Sequence, residues 1–186
     1  DQYMVFTDAL SRKWERIAYQ SINPKWFGAL GNNAHNDGPA IQRAVNAASA
    51  TRKGAVVFDK GTYLVSTIQS EPSGVMNSSG VVVPSVSNFG IKIISGVSLI
   101  GTTRDSTIIV NNTGSAFSMF RVIRAKDISF SGIGVNMNLH LGSVGMSIDS
   151  SSNVDVDNCY IYNTGWAVYP KISNKIKVQN NILAHT

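Results

Sequence analysis

The sequence predicts an all-β fold, a parallel solenoid with one capping α-helix near its start, and three observations carry that prediction. Only 15% of the 186 residues are charged and 16 are Gly, a balance that suits many short strands joined by polar turns. A stretch beginning at Ala40 carries the apolar spacing of an amphipathic helix. Beyond residue 90 an apolar pattern recurs with fixed internal offsets. At this length about 70% of the surface of the unfolded chain can be buried, so a single core is expected.

In chain order, residues 1–26 hold "SRKWERIAYQ" and "SINPKWFGA", aromatic-rich stretches without clear periodicity. They read as a connecting or neck segment with one or two short strands. Residues 27–186 read as the cap and first coils of the solenoid. The chain begins at Asp1 and stops at "NNILAHT" in mid-pattern, so it reads as a piece of something longer.

The stretch "FGALGNNAHNDGPAIQRAVNAA" (27–48) sets a glycine-punctuated loop against a helix. Such a junction can hold a phosphate or begin a domain. Ala40, Ile41, Ala44, Val45 and Ala48 form one apolar face, with Gln42, Arg43 and Asn46 opposite. Asn36 and Asp37 are placed to accept from the first free N–H groups, Pro39 suits the first turn, and Gly54 closes the region. The glycines form neither GxGxxG nor GxxxxGK, which leaves nucleotide binding without support. "AVVFDKGTYLVS" (55–66) then reads as two strands broken at Lys60 and Gly61. From about 70 to 90 the Ser, Gly, Val and Pro mixture reads as a loop or irregular excursion.

The repeat is seen by aligning "DISFSGIGV" (127–135), "NVDVDNCYI" (153–161) and "NKIKVQNNIL" (174–183) on their first apolar residue. Inward positions then fall at the same four offsets: Ile128, Phe130, Ile133 and Val135; Val154, Val156, Cys159 and Ile161; Ile176, Val178, Asn181 and Leu183. Copies are spaced 26 and then 22 residues apart, and "VSLIG" (97–101) is a partial earlier copy. A unit this short cannot bury its own faces, but stacked copies make a continuous apolar interior. Gly132, Asn158 and Asn180 at the kinks suit left-handed corners.

The formal charge of +5 owes much to Arg12, Lys13, Arg16 and Lys25, while Lys126, Lys171, Lys175 and Lys177 are scattered among strands. This is a solvated surface and not a nucleic-acid stripe. The single Cys159 excludes an internal disulfide framework and a cysteine-based zinc site, and its apolar position reads as a small buried hydrophobe. No apolar run approaches the ~20 residues of a membrane span. No signal peptide, cofactor motif or metal-ligand spacing is present in the sequence.

Two stretches carry a resemblance: "KWERIAYQSINPKWFGALGNNAHNDGPAIQRAVNAA" and "GAVVFDKGTYLVS". With them the chain resembles the pectate-lyase-like right-handed parallel β-helix proteins, in particular the tailspike and tail-fibre depolymerases of bacteriophages. Trp26, Phe27, Gly28, Ala29, Gly31, Asp37, Ala40, Ile41, Gln42 and Ala44 match that pattern directly. Asn32 and Asn33 stand where Asp-Gly is usual, Asn36 replaces the first aspartate, and Gly38-Pro39 occupy a place where Thr is common. The motif match covers about residues 14–66 and the coil repeat about 95–184. The resemblance implies a right-handed single-stranded parallel β-helix whose helix covers the open N-terminal end. It also implies a homotrimeric virion protein that binds and depolymerises a bacterial surface polysaccharide (capsule, exopolysaccharide or O-antigen) at the host surface, with other virion tail proteins as partners. A non-catalytic fibre segment, or a secreted bacterial lyase or hydrolase of the same fold, are the alternatives.

Glycoside hydrolysis needs two carboxylates, and elimination needs a base beside a neutralised uronate. Asp155 and Asp157 take consecutive outward positions of one strand, their Cβ atoms about 7 Å apart. That spacing permits the ~6.5–9.5 Å of an inverting pair, and equally a solvated surface. Tyr160, Tyr162 and Trp166 offer aromatic faces to sugar C–H groups, or packing at a subunit interface. His35 and His140 lie in loops without acidic neighbours, and Asp149 reads as a turn-former. The paired aspartates, GHG and RIK elements of polygalacturonase relatives and the calcium cluster of pectate lyases are not found. Either another arrangement serves, or the catalytic coils lie beyond Thr186.

Overall fold

A computed structural model describes residues 5–7, 9–15, 21–50, 54–76, 79 and 82–184. Strands β1 (Val5–Thr7) and β2 (Lys13–Glu15) form a small antiparallel pair in the connecting segment. Strand β3 (Ser21–Ile22) already pairs in parallel with a coil strand and buries Ile22, so the solenoid starts at Ser21.

The opening loop is built from its own polar side chains. Asn23 accepts from Lys25 N–H at 2.9 Å and starts a 3-10 turn at Pro24–Phe27, which Gly28 ends at φ 97°. After β4 (Asn32–Asn36), helix α1 runs from Gly38 to Ala50 and buries Ala40, Ile41, Ala44, Val45 and Ala48, the face expected. Asn36 Oδ1 accepts from Gly38 N–H, as a cap does, at 3.3 Å. Asp37 differs from expectation. Its backbone carbonyl accepts from Ile41 N–H, but its buried carboxylate turns back to accept from Leu30 and Gly31 N–H at 2.7 and 3.0 Å. The carboxylate thus closes the loop onto the helix start by satisfying two backbone donors of the loop.

Gln42, on the polar face of α1, supplies a substitute strand partner. Its Oε1 accepts from Lys92 N–H at 2.7 Å and its Nε2 donates to Lys92 C=O at 3.0 Å, which satisfies a coil strand where the stack begins.

Strands β5 (Ala55–Val57) and β6 (Gly61–Val65) follow as read from the sequence. The expected irregular excursion at 70–90 is instead an antiparallel hairpin of β7 (Gln69–Met76) and β8 (Val82–Ile93). Pro72, Pro84 and the serines break the apolar alternation, so backbone pairing holds the hairpin and the sequence pattern hides it. The last residues of β8, Phe89 to Ile93, then join the coil stack.

The remaining strands are β9 (Ser98–Ile100), β10 (Thr107–Asn111), β11 (Ser118–Ile123), β12 (Lys126–Ser131), β13 (Gly134–Asp149), β14 (Ser152–Asp157), β15 (Tyr160–Lys171), β16 (Asn174–Gln179) and β17 (Ile182–Ala184). They stack in about five turns. One face is the sheet β3–β5–β9–β12–β14–β16. A second is β4, β6, β10 and the first residues of β13 and β15, edged by β17. The third is β8, β11 and the last residues of β13 and β15, edged by β7. The two long strands turn a corner between their halves. β13 does so with shifted register and left-handed residues at Asn138, Leu139 and Gly142, and β15 with Asn163 at φ 56°.

Register confirms the repeat: Ile128 aligns with Val154 and Val154 with Ile176. All eight inward residues of the first two copies are buried. The third copy belongs to the end coil, which has a neighbour on one side only, and there Val178 and Leu183 are exposed. Asn181 takes an inward offset yet is polar for a reason: its Oδ1 accepts from Cys159 N–H at 2.7 Å and its Nδ2 donates to Val156 C=O at 2.8 Å.

Corners repeat as well. Left-handed residues recur in columns, Arg124–Ser150–Ile172, Asp127–Asn153–Lys175 and Gly132–Asn158–Asn180. Ile172 is the misfit, a β-branched residue at φ 50° that is 77% exposed and so recovers nothing by burial. Ile172→Asn is expected to stabilise the chain by about 1 kcal/mol, read as a rise of about 2–4 °C in the thermal midpoint.

Candidate functional site

Asp155 and Asp157 alternate with buried Val154 and Val156 on β14, both side chains turned outward. Asp155 lies in register with Ser129 and Lys177 on either side, and its Oδ1 is buried without a hydrogen bond. Asp157 Oδ1 accepts from Asn180 Nδ2 at 2.8 Å.

The three aromatic residues singled out in the sequence occupy two faces. Tyr160 and Tyr162 stack with ring centroids 4.4 Å apart on the second face, one corner away from the aspartates. Burial pushes the Tyr162 hydroxyl pKa up, with the Tyr160 ring adding to it. Trp166 lies past the next corner, on the third face, edge-on to Tyr169 at 5.5 Å. That corner is pinned by Thr164, whose buried hydroxyl donates to Ser143 C=O at 2.8 Å and lies 3.1 Å from Trp166 C=O.

The third face also carries the main charge cluster. Lys92, Arg121, Ser147 and Tyr169 form one outward row across four strands. Arg121 is 4% exposed, and its guanidinium reaches Glu71 Oε1 at 3.3 Å, Asp149 Oδ2 at 3.3 Å and Ser147 Oγ at 2.9 Å. Glu71, at the foot of the hairpin, also bonds Lys92 Nζ. The hairpin is thus latched to the coils by an ion network, and the network ends beside Tyr169, with Lys171 in register with Asp149. Asp149, expected as a turn-former, is a member of this network. Sequence reading missed Glu71, Arg121 and Tyr169 in this role, because the partners are 50 and 28 residues apart. The available signal was a lone arginine inside the apolar strand "SMFRVI", which needs a partner if buried.

Other candidates serve structure. Burial pushes the Cys159 thiol up to about 11, which keeps it protonated and unfit as a nucleophile. His35 is exposed in β4, while His140 sits in the bend of β13 with Nε2 buried and without a hydrogen bond. A cleft of about 340 Å³ between the start of α1 and the foot of the hairpin is bordered by Gln42 and Gln69. Their amides are spent on the backbone of β8.

Comparison with known proteins places the fold. Residues 21–120 match the family model described as rhamnogalacturonase A/epimerase, pectate lyase-like. Mannuronan C5-epimerase AlgE1 of Azotobacter vinelandii is 51% identical over 45 residues, which are 24% of this chain and 3% of that protein. The solved A-module of mannuronan C-5 epimerase AlgE4 from the same organism is similar with a TM-score of 0.60 at 15% identity, over 88% of this chain and 49% of that one. The Geobacillus virus E2 protein ORF18 is similar with a TM-score of 0.55 at 20% identity, over 77% of this chain and 28% of that one. This chain therefore spans less than half of each of these proteins, and the two solved structures speak to the fold. The family model covers more than half of the chain, in the same residues that build the opening loop, the helix and the first coils, and the chain belongs to the rhamnogalacturonase A/epimerase, pectate lyase-like family.

Proposed function

We propose that this chain is the coil-bearing part of a bacteriophage receptor-binding tail protein that recognises and depolymerises a bacterial surface polysaccharide. In this reading the neck, taken as residues 1–26 from the sequence, gives way to the cap and coils at Ser21, where β3 joins the stack, and the working unit is a homotrimer in the virion. One observation carries the polysaccharide reading: Trp166 and Tyr169, 57% and 43% exposed, stand edge to face, and Tyr169 belongs to the outward Lys92–Arg121 row. Exposed aromatic faces bind sugar C–H surfaces, and adjacent ionic groups orient hydroxyl and carboxylate groups. A viral protein and a polysaccharide epimerase among the fold's neighbours support the assignment of context.

Asp155 and Asp157 are proposed as the acid and base of cleavage, since they are paired outward carboxylates on a rigid strand. In affinity electrophoresis through gels cast with bacterial capsular and O-antigen polysaccharides, the whole protein is expected to be retarded by at least one. Trp166→Ala and Tyr169→Ala are each expected to weaken that retardation about tenfold, the effect of about 1.4 kcal/mol. Asp155→Asn and Asp157→Asn are expected to leave retardation intact and to suppress release of reducing ends or unsaturated uronates. If both variants cleave like the unaltered protein, the chemistry belongs to other residues.

A further inference from the structure

Tyr160 and Tyr162, which precede the corner, have a surface of their own on the second face. Their rings stack along the strand, 4.4 Å apart and 24° from parallel, and stand in register with Gly134 and Asn136 on one side and Ile182 and Ala184 on the other. Gly134 gives Tyr160 a flat neighbour. No larger residue fits there, because an added Cβ would lie 2.5 Å from the Arg104 carbonyl. Arg104 then reaches from its own coil across two others to donate from Nη1 to Asn180 C=O at 2.9 Å, at the corner preceding Ile182. One end of the tyrosine wall therefore carries a guanidinium that spends one of its five donors on Asn180 C=O. At the other end Asn163 Nδ2 donates to Asn136 Oδ1 at 3.0 Å, beside Tyr162, with which Asn136 is in register.

We infer that Tyr160, Tyr162 and Arg104 form a second saccharide-binding site, for uncharged pyranose units, on the face adjacent to Trp166 and Tyr169. This rests on the polysaccharide reading above and extends it. The tyrosine faces supply the apolar platform for ring C–H groups, and the planar guanidinium supplies paired donors to vicinal hydroxyls. The outward rows of this face from β10 to β17 carry no charged side chain of either sign, and Arg104 at their edge is already hydrogen-bonded to Asn180 C=O, so the platform itself is neutral, as an uncharged pyranose requires. The two platforms lie on one coil, separated only by the corner that Thr164 pins, so a glycan that turns this corner is held twice. Holding at two points raises apparent affinity through effective concentration without new chemistry at either.

The test uses the whole protein in affinity electrophoresis through gels of neutral and of uronate-containing bacterial polysaccharides, with nitration of tyrosines as a second measurement. Tyr160→Ala/Tyr162→Ala and Arg104→Met are each expected to weaken retardation in neutral gels about tenfold and to leave the Trp166-dependent retardation in place. In the unaltered protein, saturating neutral polysaccharide is expected to protect Tyr160 and Tyr162 from tetranitromethane, read by peptide mass spectrometry, which needs no variant to fold. If the variants are retarded normally, and nitration is unchanged while Trp166→Ala releases the protein, the second site is wrong and the first stands. If no gel retards the unaltered protein, the reading on which it rests fails. If the tyrosine variants instead lower the molecular mass in solution, this face is a contact between copies and the inference is overturned.

Discussion

Gly101→Ala is expected to cost more than about 4 kcal/mol and to remove most soluble, folded protein, the largest effect of a single added methyl group among the described residues. A Cβ at Gly101 would lie 2.1 Å from the Gly132 carbonyl oxygen and 2.9 Å from its carbon. Both atoms are backbone. Gly101 N–H also donates to Ser131 C=O at 2.9 Å, and Ile100 pairs with Ser131, so neither strand moves without breaking the β9–β12 register. Gly114 provides the contrast. It is left-handed, at φ 69°, where Gly101 is not, and an added Cβ there meets nothing within 4 Å, so Gly114→Ala is expected to lose only about 1 kcal/mol. Denaturant unfolding of the two variants separates steric contact between coils from backbone strain.

The second large effect is at Arg121. Arg121→Ala is expected to cost about 3–4 kcal/mol, because it leaves the Glu71 and Asp149 carboxylates, 16% and 18% exposed, facing one another without their shared cation. The loss is expected to be concentrated in β7 and β8, where hydrogen exchange should rise before the coils open. The exposed Lys25–Asp59 pair, 40% and 54% exposed, is expected to contribute less than about 1 kcal/mol, so Lys25→Ala serves as the comparison. Equal losses for the two variants would show that the hairpin latch is an ordinary surface ion pair.

The coils were legible in the sequence because a solenoid writes the same constraint several times. Ile128, Val154 and Ile176 share one register, and the corner residues Gly132, Asn158 and Asn180 share one backbone conformation, so spacing alone exposes them. The opening helix was legible through Ile41, Ala44 and Val45, which meet the coil interior at 3.6-residue spacing. Asp37 shows the limit of local reading: its position before a helix suggests a cap, but its carboxylate answers two N–H groups six and seven residues back. The hairpin was hidden for a different reason. Its strands are held by backbone bonds, and prolines and serines carry no apolar alternation to read.

The candidate site was less legible than the fold, because binding chemistry in a solenoid is assembled sideways across coils. Tyr160, Tyr162 and Trp166 look contiguous along the chain, yet Asn163 at φ 56° and buried Thr164 turn a corner between them. Conversely, Lys92, Arg121, Ser147 and Tyr169 form one row although no local pattern joins them. The long-range register, which decides both, follows from loop lengths between coils that have no periodic signal.

In the function proposed above, the coil stack takes hold of a bacterial surface polysaccharide at Trp166 and Tyr169 and shortens it at Asp155 and Asp157. The most direct measurement incubates the whole protein with a panel of purified capsular polysaccharides, exopolysaccharides and O-antigens and follows chain length by size-exclusion chromatography. At least one polysaccharide is expected to be shortened, and Trp166→Ala is expected to slow the shortening about tenfold at low substrate. Polysaccharides that all emerge at full length, with none co-eluting with the protein, would contradict the proposed function.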